Sequence, residues 1–185
     1  MKNKTIIVGM FHEIIELAES SGVEIFGGID NYKIGDYRNI KVICTDEMVY
    51  NLGVDYKKYD LIITPDNPKV REKLFHHYSK LGFRFGKLIS KKAEVSKSAS
   101  IGCGTIIQNG VNISAEVQIG RFVKLNTMCN IMHNSFIGDY STIAPNAVIL
   151  GNVSVESRCY IGANSTILPN LVIGENSIIG AGAVV

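Results

Sequence analysis

The sequence predicts two unlike architectures in one chain: a small parallel α/β domain over residues 1–92, then a solenoid of short parallel strands over residues 93–185. Three observations carry this. An aliphatic residue recurs at every sixth position of the second half without a break. The first half alternates strand-like and helix-like segments. Charge is concentrated in the first half, with 15 Lys/Arg and 12 Asp/Glu in residues 1–92 against 4 and 5 in residues 93–185. At 185 residues and 46% hydrophobic content the chain has material for packed cores. Its net charge of +2 makes no electrostatic case for nucleic acid or an anionic membrane as partner.

In the first half, residues 5–9 read as a buried strand. Their apolar stretch stops at His12 and Glu13, too short for a leader, and no run approaches the ~18 residues of a membrane span. A cytoplasmic location is expected. Residues 12–20 have helical spacing (Ile14, Leu17, Ala18) and stop at Gly22. Residues 23–30, 41–44 and 60–64 read as further strands. Asn67-Pro68 opens a second helix as N-cap and first-turn proline, with Val70, Leu74, Tyr78 and Leu81 as its inner face and Gly82 as its stop. Residues 83–89 form a last strand leading into the solenoid. This order makes a Rossmann-like α/β domain of reduced size. A full Gly-x-Gly-x-x-Gly is absent, so a dinucleotide-dependent oxidoreductase is poorly supported. Gly9, Asp30 and Pro65 nevertheless fall at the carboxyl edge of the strands, where such sheets bind ligands. A nucleotide-type ligand and a domain that only caps the solenoid both remain open.

The second half places Ile, Val or Leu at all sixteen positions taken every sixth residue from Val95 to Val185. Four residues after each stands a second position, from Ala99 to Ala183, that is Ala, Ser, Thr, Val or Cys in fourteen of fifteen cases, Leu171 excepted. A period of six is neither helical nor that of an ordinary hairpin sheet. It fits a solenoid in which large and small inward residues stack coil upon coil, three hexapeptides to a triangular turn. Glycine follows the aliphatic residue at Gly102, Gly120, Gly138, Gly162, Gly174 and Gly180, where it is expected to permit a turn conformation that other residues resist. Because ordering a thin solenoid costs much of what burial returns, subunit association is expected. Cys44, Cys103, Cys129 and Cys159 make no Cys-x-x-Cys pair and read as buried free thiols. His133 is the solenoid's lone histidine, two residues after inward Ile131, and should point outward. Its solitude excludes a histidine-ligated metal on the solenoid.

The unbroken hexapeptide repeat resembles the left-handed parallel β-helix acyltransferases. With the short Rossmann-like domain in front, Asn126-Thr127, residues 133–140 (HNSFIGDY), Ala144-Pro145 and Gly151-Asn152-Val153, the chain resembles the sialic-acid O-acetyltransferase and bacillosamine-type sugar N-acetyltransferase family. The resemblance also covers residues 161–165 (IGANS) and 168–170 (LPN). It implies His133 as general base on the acceptor amine or hydroxyl. It implies Asn134 as the catalytic neighbour, where the family usually carries Asp or Glu. It implies Asn126 near the acceptor, Gly151 beside the thioester carbonyl, and acetyl-CoA contacts at Thr142, Ala163 and Ala181. In the first domain the nucleotide-sugar residues fall on Gly9, Phe11 and His12 of a shortened loop, on the pair Asp30-Asn31, and near Pro65. Cradling a phosphate on that loop's N–H groups needs a close approach that Met10 and Phe11 oppose. Family trimers put the site between two subunits.

The resulting expectation is an acetyl-CoA-dependent N-acetyltransferase of a nucleotide-linked amino sugar in surface-glycan synthesis, without a metal. O-acetylation of a sialic-acid-like sugar is the alternative. A trimeric homologue that kept the solenoid and lost activity is a third reading, favoured by Asn134 and the shortened loop. Because Val185 is in phase with the repeat and no capping segment follows, the solenoid is expected to continue beyond it.

Overall fold

The structure, a computed structural model, describes residues 4–185; the start at Met1–Asn3, read above as no leader, lies outside them. The first unit runs β1 (Thr5–Val8), α1 (His12–Ser21), β2 (Ile25–Ile29), β3 (Asp36–Tyr37), β4 (Ile40–Cys44), β5 (Asp60–Ile63), α2 (Pro68–Lys80) and β6 (Arg84–Phe85). Its sheet has the order β3-β4-β2-β1-β5-β6 and is parallel apart from the β3–β4 pair. Side-chain alternation along β1 and β5 assigns each helix a face. Ile7 and Ile62 pack with Ile14, Ile15, Leu17 and Ala18 of α1. Ile6, Val8, Leu61 and Ile63 pack with Leu74, Phe75 and Tyr78 of α2. The Asn67 side chain caps α2, accepting from the N–H groups of Lys69 and Val70, and Gly22 ends α1 in the left-handed region at φ 75°. No helix among the described residues is long and apolar enough to cross a membrane.

In the second unit each two-residue strand pairs in parallel with the strand one coil on, as Ile107 does with Leu125 and Ile113 with Ile131. Three sheets enclose a lumen filled by the sixfold column, so the hexapeptide repeat forms a parallel β-helix of the left-handed kind. The predicted last strand of the first unit is divided. Arg84–Phe85 pairs with β5, whereas Leu88–Ile89 pairs with Ile106–Ile107 and is already a solenoid strand.

The role of the repeat glycines is corrected. The left-handed residues recur three places after the aliphatic one, from Gly104 through Phe122, Asn134 and Asn152 to Gly182. Gly102, Gly138 and Gly162 are instead sites of close approach between coils. A Cβ there would lie 2.4 Å from the Gly120 oxygen, 2.5 Å from the Ser157 nitrogen and 2.5 Å from the Ala181 nitrogen respectively. The thiol reading holds for Cys129 and Cys159, which are buried at small inward positions, but Cys103 sits at a corner and is exposed.

The α/β unit covers one face of the solenoid. On that face the outward positions Leu88, Ile106, Lys124 and Thr142 are all buried. Leu88 and Ile106 continue the α1 core, and Phe122 and Tyr140 continue the α2 core, stacked on each other at 5.5 Å. The inner face of α2 also differs from expectation. Val70 is 41% exposed, while Arg71 is 1% exposed, because its guanidinium reaches across the joint. It donates to the carbonyls of Phe122 (2.9 Å), Ser141 (3.0 Å) and Tyr140, to the Thr142 hydroxyl (2.8 Å), and back to the carbonyls of Pro65 (2.7 Å) and Asp66 (2.9 Å). Burial pushes the Arg71 pKa down to about 10 against the opposing pull of Asp66, which leaves the group charged at neutral pH.

Candidate active site

Five of the residues expected at the sheet's carboxyl edge share one cleft of about 340 Å³: Gly9, Phe11, Asp30, Asn31 and Pro65. They converge because parallel strands end together and the turns after β1, β2 and β5 are neighbours. His12 opens α1 and is exposed, outside the walls of this cleft. The three N–H groups of the β1–α1 turn from Gly9 to Phe11 are not free for a phosphate. The N–H of Gly9 donates to the Ile29 carbonyl (2.9 Å), that of Met10 to the Asp30 carboxylate (2.7 Å), and that of Phe11 to the Gly9 carbonyl (2.9 Å). Met10 is fully buried, with its sulfur 1.9 Å from where a Cβ on Gly28 would stand. It therefore does not block the cleft, and Phe11 alone of the bulky pair borders it.

Asp30 is an organiser of this edge. Its carboxylate accepts from the N–H groups of Met10 (2.7 Å), Tyr32 (2.8 Å) and Lys33 (3.0 Å). Burial raises its pKa, but these N–H groups and the Lys33 ammonium outweigh it and hold the carboxyl below its usual range. Asn31 is engaged with Asp46, donating to its carboxylate at 2.8 Å and accepting from its N–H at 2.9 Å. Asp46 also accepts from the Tyr78 hydroxyl, so the cleft wall is tied to α2.

The solenoid residues fall on two different corners of the triangle. Exposed His133 and Asn134 share one corner with Gly151 in the next coil. The imidazole lies over Gly151, where a Cβ would meet it at 2.7 Å. The Asn152 N–H donates to the His133 carbonyl (3.0 Å) and the Asn170 N–H to the Gly151 carbonyl (3.1 Å), and neither bond uses the Gly151 N–H. Asn134 occupies the left-handed corner position at φ 60°, a conformation asparagine tolerates. Its side-chain nitrogen is 3.4 Å from His133 Nδ1. Asn126, Ala163 and Ala181 lie on a second corner, where Asn126 meets the α/β unit by donating to Asp66 at 3.2 Å. There the Gly182 N–H donates to the Ala163 carbonyl at 2.8 Å. Within one chain, then, the expected base and the expected nucleotide-sugar residues are not brought together.

Thr142 is corrected. It has no exposed surface, because it points from the covered face into the joint, donating to the Asp66 carbonyl (2.7 Å) and accepting from Arg71 (2.8 Å). It holds the β5–α2 turn and has no face for acetyl-CoA. Sequence reasoning missed Arg71, Lys124 and Asp66. A signal was present. Every third hexapeptide has its outward residue on the same face, and apolar Leu88 and Ile106 in that series mark a covered surface on which Lys124 must also be buried.

Comparison with known proteins adds the following. A family model described as bacterial transferase hexapeptide (six repeats) matches residues 134–168 and 152–185. A GDP-perosamine N-acetyltransferase of Escherichia coli O157:H7 is 35% identical over 134 residues, which are 72% of this chain and 52% of that protein. The chain therefore spans about half the length of this curated relative. The acetyltransferase domain of PglB from Neisseria gonorrhoeae FA1090, solved in complex with acetyl coenzyme A, superposes with a TM-score of 0.92 at 25% identity over 100% of this chain and 91% of that one. PerB from Caulobacter crescentus, solved in complex with CoA and GDP-perosamine, superposes with a TM-score of 0.91 at 25% identity over 100% and 89%.

Proposed function

We propose that this chain, whose residues 134–185 match the bacterial transferase hexapeptide model and which fits the sugar acetyltransferases built on that repeat, moves an acetyl group from acetyl-CoA to the amino group of a nucleotide-linked sugar. The observation that carries this is His133, exposed on a solenoid corner with its ring over Gly151, in a chain that also bears a cleft at the edge of a parallel sheet. On this reading residues 1–92 are a Rossmann-like domain for the nucleotide sugar and residues 93–185 carry acetyl transfer.

Bound acetyl-CoA supplies the acetyl thioester, for which the corner of Ala163 and Ala181 offers small side chains. His133 removes a proton from the acceptor amine as the nitrogen attacks the thioester carbonyl, and collapse of the tetrahedral intermediate breaks the C–S bond and releases CoA as the thiol, which takes that proton back from His133. The Gly151 N–H faces the negative charge that develops on the carbonyl oxygen. The cleft walls at Gly9, Phe11, Asp30, Asn31 and Pro65 hold the nucleotide, with Asp30 acting by fixing the turns. Because His133 and Asn126 lie on different corners, the site is completed by a second copy, and a homotrimer places one copy's histidine corner against the next copy's cleft. The setting is a cytoplasmic step of surface-glycan synthesis.

The test is release of free thiol from acetyl-CoA with a panel of GDP- and UDP-linked 4-amino sugars and free sialic acids, run beside sedimentation of the protein. Turnover of an amino sugar by a trimer is expected. Turnover of sialic acids alone would move the reading to O-acetylation, and no turnover together with no thermal stabilisation by acetyl-CoA would end it. Asn134→Asp gives a second measurement. A carboxylate stabilises the imidazolium where an amide only orients the ring, so kcat should rise by up to about tenfold, the equivalent of ~1 pKa unit. An unchanged or lower kcat would show that the missing anion is not limiting.

A further inference from the structure

We infer that Asp66 is the residue by which this chain selects its acceptor sugar, with Lys124 as the residue that positions it; the inference rests on the acetyl-transfer reading above. Asp66 lies in the turn between β5 and α2, and its side chain is 47% exposed. Its side-chain contacts fall on Oδ1, which takes the Lys124 ammonium at 2.9 Å and the Asn126 side-chain N–H at 3.2 Å. Oδ2 is left for a ligand.

Two features of the cluster are out of keeping with a joint that only holds two units together. Lys124 is 1% exposed and donates to the Thr64 carbonyl at 2.9 Å as well as to Asp66. The equivalent positions one and two coils earlier, Ile106 and Leu88, fill the same interface with apolar side chains. Burying an ammonium here is costly by comparison, and burial pushes the Lys124 pKa down against Asp66. Asn126 is 6% exposed, and its side-chain oxygen has no hydrogen-bond partner among the described residues. A buried acceptor without a donor is unfavourable until something supplies one. Asp66 Oδ2 is thus an open acceptor oxygen on a side chain held by Asn126, whose own oxygen is covered. Pro65, the residue before Asp66, lines the cleft, and the Phe11 ring is 6.0 Å from the Lys124 nitrogen. The chemistry that matches is a sugar edge with hydrogen-bond donors, amine or hydroxyl. A sugar lacking such a donor would leave Asp66 Oδ2 without its partner and be rejected.

The test compares wild type, Asp66→Asn, Lys124→Met and the double variant, with GDP-perosamine and UDP-linked 4-amino sugars as acceptors. The readings are KM for acceptor, KM for acetyl-CoA and melting temperature. Asp66→Asn should raise the acceptor KM by about tenfold or more with the acetyl-CoA KM unchanged; its melting temperature should fall, because Lys124 stays buried without its counter-ion, and should recover in the double variant. The double variant should stay impaired, because its ion pair is gone but so is the acceptor contact. An acceptor KM within twofold of wild type in Asp66→Asn, or a return of that KM to wild type in the double variant, would reduce Asp66 to a counter-ion and overturn the inference. If Lys124→Met does not fold, Asp66→Asn decides alone. If wild type acetylates nothing in the panel, the underlying reading fails before any variant is compared, and the inference falls with it.

Discussion

His133→Ala should lower kcat/KM for acetyl transfer by ~10²–10⁴-fold, the usual contribution of a positioned general base, while the melting temperature stays within ~2 °C of wild type. The separation of the two readouts follows from position. The side chain is exposed on a corner outside the lumen, and its backbone carbonyl, which ties the corner to Asn152 at 3.0 Å, survives the substitution. Loss of the ring removes what lies over Gly151 and leaves the column of inward aliphatics as it was. Thiol release at saturating acetyl-CoA and an unfolding curve settle the matter together. Full activity in the variant would mean that another group takes the proton. Lost activity with a large fall in melting temperature would mean that the ring is structural.

Arg71→Leu should be the most destabilising single change at the joint, by ~3–5 kcal/mol, the scale for removing one member of a buried charged network. The guanidinium is nearly inaccessible and donates to carbonyls on both units, those of Pro65 and Asp66 on one side and those of Phe122, Tyr140 and Ser141 on the other. Leucine leaves these oxygens buried without donors, and each then carries its desolvation cost. At ~2–4 °C per kcal/mol for a chain of this size, the melting temperature should fall by roughly 10 °C. Arg71→Lys keeps the charge but lacks the planar fork, so it should recover only part of the loss. Hydrogen exchange of the turn at residues 64–67 should rise in both variants, since Arg71, Lys124 and Thr142 all bond its carbonyls. A shift below ~2 °C for Arg71→Leu would show that the apolar contacts of Phe75, Phe122 and Tyr140 hold the joint without it.

The site was legible where its logic is local or periodic. Gly9, Asp30 and Pro65 could be placed at one edge because parallel strands end together, and His133 could be read as outward because it is two residues from an inward position of a strict repeat. The β1–α1 turn was legible only in part. Its glycine marked a bend, but the consumption of two of its three N–H groups depends on Ile29 and Asp30, at the end of the neighbouring strand. Thr142 and Val70 were misread for a related reason. Each is assigned a face by its own repeat or helix, and whether that face meets solvent depends on a segment far away in the chain.

The sequence by itself determined the two architectures, the stacked lumen, the strand and helix order of the first half and the cap at Asn67, because each follows from a short-range rule of spacing or backbone conformation. Only the tertiary structure decided which solenoid face is covered, that Arg71 and Lys124 are buried, that Thr142 serves the joint, and that Gly102, Gly138 and Gly162 are sites of close approach between coils. These depend on contacts such as Arg71 to Thr142 and Lys124 to Thr64. Such contacts join side chains whose periodic settings carry no information about one another until the two units pack.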